Sequence, residues 1–461
     1  MPEESPRERL RRLRRDTPRP VQDHPSPPEA GPAPPRMPAW LKARIAQDSG
    51  VGRAGGQGPS KQTAETGALA RGQTSWPSTE GEPRDLQPRS GPLGQVWSRT
   101  EVFPGTFPHG SWRLDAVDGA DSRVFSWLTG DPALQGLDPR RAIYLDTETT
   151  GLAGGAGTWV FMVGLGRFLA SGDFELWQGF MRGPEDESAL LAEAARRIAA
   201  ADSLVSFFGK SFDRHRLEDK MRLCKVPAPF DGRAHLDLYH PLRRLFGQSF
   251  PDGRLATLEA QLCGLERGID LPGSQAPAAW FDYLAKRPHR LEGVFHHNRL
   301  DVLSLATLLA WLGHAAGEAR PDGQVLEGPA TDRRRGLVTS IARAGDLESA
   351  LSLAEQALVH EPAARDLALA RAELLYRLRR DEVARAAFTA LLAGPEDSFS
   401  APVHLAWAKF LEHRERDRAA ALEACRHAQR LQDLMPPGRP RAKLVRDLDA
   451  RLTRLAARTG G

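Results

Sequence analysis

Ala142-Ile143-Tyr144-Leu145-Asp146-Thr147-Glu148-Thr149-Thr150-Gly151 is the stretch on which the fold reading turns. An apolar run that ends in two carboxylates one residue apart and then breaks at glycine reads as a buried strand delivering acids to a solvent-facing site. Alternation along a strand puts Asp146 and Glu148 on one face. Anions held that close repel unless a cation sits between them. The pattern predicts a divalent-metal site whose hard oxygen ligands suit magnesium or manganese.

Downstream, Gly151 to Thr158 is glycine-rich but lacks the lysine of a phosphate loop and leads into a strand, so it reads as a flexible connection beside the metal site. Trp159 to Phe168 and Phe174 to Phe180 read as two more strands around the turn Ser171-Gly172-Asp173, making an antiparallel meander. The period then changes. Pro184 opens a helix with Leu190, Leu191, Ala194, Ala195 and Ile198 at helical spacing. A short strand at Ser203 to Phe208 precedes Gly209-Lys210-Ser211-Phe212-Asp213, and a helix follows through Leu217 and Met221 to Cys224. Leu236-Asp237-Leu238 reads as a strand, and Leu255 to Leu265 as a helix. The last helix carries His296-His297-Asn298-Arg299-Leu300-Asp301 and then a leucine-rich run to Leu312. Strands followed by alternating helices and strands predict an α/β domain with a mixed sheet.

Upstream, Pro, Gly, Ser and Thr dominate from Pro18 to about Gly91, too polar to offset the entropy of ordering. Residues 1 to 95 are expected to be a disordered basic leader, and 96 to 140 an ordered lead-in starting at Val96-Trp97. The Arg-rich 7 to 15 segment reads as a solvated tail. After a linker at 317 to 333, residues 334 to 461 become helical and rich in Ala, Leu and Arg. Ala350, Ala354 and Ala357 are echoed by Ala384, Phe388 and Leu391 after about 34 residues, and more loosely by Ala421, Cys425 and Ala428. That is the period of a tetratricopeptide helix pair, which predicts a short solenoid used for docking, with a plain bundle as the alternative.

Bulk properties narrow the classes. The net charge of +4 over 461 residues is small, and residues 1 to 100 hold 16 basic against 11 acidic side chains, so the remainder is near neutral. Any nucleic-acid contact therefore comes from local patches. Cys224, Cys263 and Cys425 form no CxxC pair, which argues against a zinc site or disulfide framework and for a cytoplasmic protein. The sequence has no membrane-length apolar run and no signal-peptide pattern.

Asp213 and Asp301 taken singly fit helix capping, with Ser211 and Asn298 as candidate N-caps. With Asp146 and Glu148 the balance reverses, because a two-metal centre needs carboxylates converging from separate elements. The three motifs Asp146-Thr-Glu-Thr-Thr-Gly151, Gly209-Lys-Ser-Phe-Asp213 and His297-Asn-Arg-Leu-Asp301 resemble, in order and spacing, those of DEDD-type 3'-5' exonucleases of the ribonuclease H-like fold. Within an expected ribonuclease H-like domain at 141 to 316, the region from about Arg141 to His314 resembles in particular the YprB-like ribonuclease H-like proteins, through Gly154-Gly-Ala-Gly-Thr158, Val163-Gly-Leu-Gly166, His235-Leu-Asp-Leu238, Leu258-Glu259 and Asp270-Leu-Pro-Gly273. Members of that family with a tetratricopeptide tail agree with the last third of this chain.

The resemblance implies that Asp146, Glu148, Asp213 and Asp301 hold two Mg2+ or Mn2+ ions and that a histidine is the general base. His296 stands five residues before Asp301, where the superfamily usually has that histidine, and His297 stands four before it, where an alternative subclass has a tyrosine; His297 is preferred for the His-Asn pair. Where the family commonly has asparagine, this chain has Phe208, which removes a polar anchor or adds a stacking face. Lys210, Arg214, Arg216, Arg243 and Arg244 are candidate phosphate contacts, and Thr147, Thr149 and Phe212 complete the expected substrate contacts. The expected activity is 3'-5' exonuclease action on single-stranded DNA or RNA, with a protein partner on the helical repeats. A weak or silent nuclease acting as a scaffold, or an endonuclease on the same fold, are the competing expectations.

Overall fold

The computed structural model describes residues 76–151, 157–246 and 249–459. The expected leader up to residue 75 and most of the glycine-rich connection, 152–156, lie outside the described residues.

A seven-stranded sheet organises the first part. Its strands are β1 (Gln87–Gly91), β2 (Gly94–Phe103), β5 (Ala142–Thr149), β6 (Val160–Phe168), β7 (Phe174–Phe180), β8 (Ser203–Ser206) and β9 (Ala234–Asp237), in the order β1-β2-β7-β6-β5-β8-β9. A separate two-residue hairpin pairs β3 (Pro108–His109) with β4 (Trp112–Arg113). Pairing is antiparallel from β1 to β5 and parallel across β5, β8 and β9, so the sheet is mixed. β5 lies inside the sheet, which explains its continuous apolar start: Ala142, Ile143, Tyr144 and Leu145 are all buried.

Helices cover the sheet: α1 (Ser122–Thr129), α2 (Glu187–Ala199), α3 (Asp213–Leu223), α4 (Tyr239–Phe246), α5 (Leu255–Cys263), α6 (Ala276–Leu284) and α7 (Leu291–Gly313). α7 is buried along nearly every position from Val302 to Gly313, as expected for a helix that is apolar all round. It crosses β6 at Gly164, where a Cβ would meet the Asn298 side chain at 2.3 Å. Only glycine admits that approach, and it brings Asn298 over the sheet.

The last third is helical: α8 (Ala330–Ala344), α9 (Leu347–His360), α10 (Arg365–Arg377), α11 (Asp381–Leu392), α12 (Ser400–Phe410), α13 (Arg418–Leu431) and α14 (Arg439–Thr459). Successive helices pack on one another, and the repeating positions Ala350, Ala354, Ala357, Ala384, Phe388, Leu391, Ala421, Cys425 and Ala428 are all buried. Asp346 and Asp417 cap α9 and α13 by accepting the backbone N–H of Ser349 and Ala420.

Three expectations are corrected. Order does not wait for Val96: β1 starts at Gln87, and Thr79 exchanges backbone hydrogen bonds with His289 at 2.8 and 2.9 Å. β1 is an exposed edge strand held by backbone pairing to β2, so it carries no apolar pattern to read. The 317 to 333 linker is docked. Arg320 bonds Glu327 at 2.7 Å, Glu327 accepts from Ser111 at 2.8 Å, and α8 starts inside the segment at Ala330. Asn298 is no N-cap, because α7 starts seven residues earlier at Leu291, after Arg290.

Candidate active site

Asp146 and Glu148 sit at the end of β5, next to a register irregularity between Glu148 and Thr149. Asp213 is the first residue of α3, and Asp301 lies near the middle of α7. The Thr147 hydroxyl donates to Asp213, and the Asn298 amide donates to Asp146 at 2.7 Å. Asn298 is itself held by Gln178, whose amide donates to Asn298 Oδ1 and to the Phe295 carbonyl, both at 2.8 Å. Burial, then the charges of Asp301, Asp213 and Glu148, push the Asp146 carboxyl well above the usual carboxylate range, against the Asn298 hydrogen bond. Burial raises Glu148 to about 8, with Asp301, Asp213 and Asp270 adding to the shift and His297 opposing it. Asp213 rises to about 6, chiefly by burial.

Opposite them lies a second network. The Arg267 guanidinium contacts Glu259, Asp270 at 3.0 Å and Asp301, and all four side chains are largely or fully buried. Glu259 also accepts from Ser304 at 2.5 Å, and Ser304 meets His109 Nε2 at 2.8 Å. His297 bridges the two networks: its Nδ1 lies 2.9 Å from Asp270, its Nε2 3.6 Å from Asp301, one helical turn away. Burial opposes the imidazolium, but the Asp270 hydrogen bond and the charges of Asp301 and Glu148 outweigh it and push His297 up to about 9. His296 faces elsewhere. Its ring lies 5.0 Å from that of Trp76, Arg299 donates to its Nδ1 at 2.9 Å, and burial followed by the Arg299 charge lowers its pKa.

The loop after β8 carries the other candidates. Phe208 stands at φ 59° and is 44% exposed. This left-handed conformation is costly for an aromatic residue, on the order of 1 kcal/mol. Buried Asp237 holds it there, accepting the backbone N–H of Phe208 at 2.8 Å, Lys210 at 3.0 Å and Tyr239 at 3.1 Å. The Phe212 ring lies under the Arg216 guanidinium at 5.2 Å, and Thr149 is buried beside the end of β5. Arg214 is engaged by Glu218 at 2.7 Å, and Arg244 donates to the Leu128 carbonyl. Among the described residues the side chains of Lys210 and Arg243 form no ion pair with an acid.

Sequence reading missed Arg267 altogether, because Glu266-Arg267-Gly268 looks like any charged loop. Asp237 and Glu259 stood in stretches read as a strand and a helix, and Asp270 in one noted for resemblance, none with a role of its own.

Residues 143–313 match the family model of the ribonuclease H superfamily. They form a ribonuclease H-like domain. The curated protein YprB of Bacillus subtilis (strain 168), described as uncharacterized, is 31% identical over 216 residues, 46% of this chain and 51% of that protein. The chain thus spans about half the length of this curated relative. Members of this superfamily generally use divalent metals.

The donor chemistry here fits such ions: hard oxygens whose proton affinity is raised by burial and mutual repulsion. Among the described residues, however, no three His, Cys, Asp or Glu side chains are gathered as ligands about one point. Asn298, Thr147 and Arg267 engage Asp146, Asp213 and Asp301 respectively.

Proposed function

We propose that the chain is a metal-dependent 3'-5' exonuclease that removes nucleotides from single-stranded ends. The observation that supports this reading most is the placement of Asp146 and Glu148 at the end of β5 with Asp213 bonded to Thr147 between them in sequence, all three carboxyls raised chiefly by burial, beside a histidine held by an acid. Asp146, Glu148, Asp213 and Asp301 would hold two Mg2+ or Mn2+ ions. Such ions, when bound, supply the charge that polarises a phosphodiester and activates the attacking water. His297 is the general base of this reading. Asp270 holds Nδ1, and Nε2, facing Gly273, would accept the proton once bound cations offset the charges of Asp301 and Glu148 that now favour the imidazolium. A Cβ at Gly273 would lie 3.2 Å from that nitrogen.

The C-terminal helices serve as a docking surface of tetratricopeptide type, supported by buried, mostly small residues recurring on the alternate helices α9, α11 and α13. One observation favours a second reading, a scaffold with a quiet site: Arg267 already engages Asp301. Release of mononucleotides from a 3'-labelled single strand, with magnesium or manganese added, separates the two. Full activity in Asp146→Ala would rule out this centre as its source.

A further inference from the structure

The loop between β8 and α3 has a feature that the fold does not require. Phe208 adopts a backbone conformation that asparagine or glycine takes more easily, and its ring is not used to fill the core. The ring is nevertheless supported. It stands edge-on to Tyr239, with centroids 5.0 Å apart at 77°, and lies 6.3 Å from the ring of His240. Tyr239 is wedged in turn: Arg243 donates to its hydroxyl at 3.3 Å, and a Cβ at Gly253 would come within 3.1 Å of its ring.

A single buried carboxylate, Asp237, holds the backbone of both Phe208 and Tyr239 and so sets the two rings together. The platform adjoins the acidic centre directly, since a Cβ on the next residue, Gly209, would sit 3.0 Å from Asp213 Oδ2. Lys210, two residues after Phe208, and Arg243, bonded to the Tyr239 hydroxyl, form no ion pair with an acid among the described residues and supply positive charge. An exposed aromatic face held against an energetic preference and flanked by cations has the composition of a nucleobase seat.

We propose that Phe208, supported by Tyr239, stacks on an unpaired base of the substrate strand, with Lys210 and Arg243 meeting the adjoining phosphates. The inference rests on the nuclease reading for its substrate class, single-stranded nucleic acid. A base in a duplex has both faces covered, so the seat selects frayed or single-stranded ends.

The test uses the full chain and a single-stranded oligonucleotide carrying 2-aminopurine near its 3' end. Binding is followed by fluorescence without divalent cation, and cleavage is measured separately. Phe208→Asn suits the experiment because asparagine tolerates the positive φ and retains the backbone N–H bonded to Asp237. The expected result is quenching on binding by the natural chain, with about tenfold weaker binding and lost quenching in Phe208→Asn, and near-natural behaviour in Phe208→Trp. Equal affinity and quenching in Phe208→Asn, or no single strand bound by the natural chain, would overturn the seat. Strand binding that depends on Phe208 without any cleavage would uphold the seat and remove the nuclease reading instead.

Discussion

Two sets of acids meet at His297, and they are neutralised differently. Asp146, Glu148 and Asp213 have no cationic side chain bonded to them among the described residues; a threonine and an asparagine serve two of them, and all three are pushed toward the protonated form. Glu259, Asp270 and Asp301 share the Arg267 guanidinium, and Asp270 also takes His297. Asp270, which has both His297 and Arg267, stays below the ordinary carboxylate range although burial works against it, whereas burial holds fully buried Glu259 above its ordinary value despite Arg267. Both sets are buried, so burial alone does not separate them. The presence of an internal counter-charge does, and the set without one is open to an external cation.

The sharpest way to break this comparison is at Asp146. Asp146→Asn keeps the shape and removes one of the repelling charges. It is expected to lower metal-dependent release of labelled nucleotides by about 10^3-fold, about 4 kcal/mol in the barrier. The same substitution is expected to leave Tm in chelator unchanged or raised, because it relieves repulsion. A clear fall in Tm without metal would mean that Asp146 has an internal counter-charge after all.

Arg267 tests the other set. Arg267→Ala leaves Glu259 buried without its cation and is expected to cost about 3 kcal/mol in urea unfolding, in the range seen when one partner of a buried pair is removed. Arg267→Lys keeps the charge but cannot span three carboxylates with a planar fork, so a smaller loss is expected. Equal stability of natural chain and Arg267→Ala would show that the network contributes no net energy.

The sequence revealed one set far better than the other. Asp146 and Glu148 announce themselves because a strand's alternation and the break at Gly151 are local signals. The mixed sheet was legible for the same reason, from apolar runs of the right length around short turns. Arg267 could not be found this way: its partners Glu259 and Asp301 are 8 and 34 residues distant, and only the packing of α5 against α7 joins them. Asn298 was misread as a cap because its residue type favours helix starts, whereas here a glycine on β6 makes room for it inside α7. β1 escaped notice because backbone pairing, not apolar side chains, holds it in the sheet.

The role of counter-charge can be sharpened with a second histidine. His235 and His297 are both buried, yet His297 is pushed up to about 9 and His235 falls to about 3. His297 has Asp270 and Asp301; among the described residues His235 has only the Ser206 hydroxyl, at 2.7 Å on Nε2, and after burial the charges of Lys210 and Arg214 disfavour its proton further. A histidine whose folded pKa is depressed holds full stability above its ordinary value of 6.5. As pH falls below that value, the unfolded chain takes up a proton that the folded chain refuses, and stability declines by up to about 1.4 kcal/mol per pH unit until about 3. His235→Gln removes the titration while retaining a polar partner for Ser206. The difference in unfolding free energy between natural chain and variant, measured in urea at pH 7, 6 and 5, is therefore expected to shift in favour of the variant as the solution is acidified. Parallel curves across that range would show that His235 is protonated as readily in the fold as outside it, and that burial without an acid partner does not set its charge.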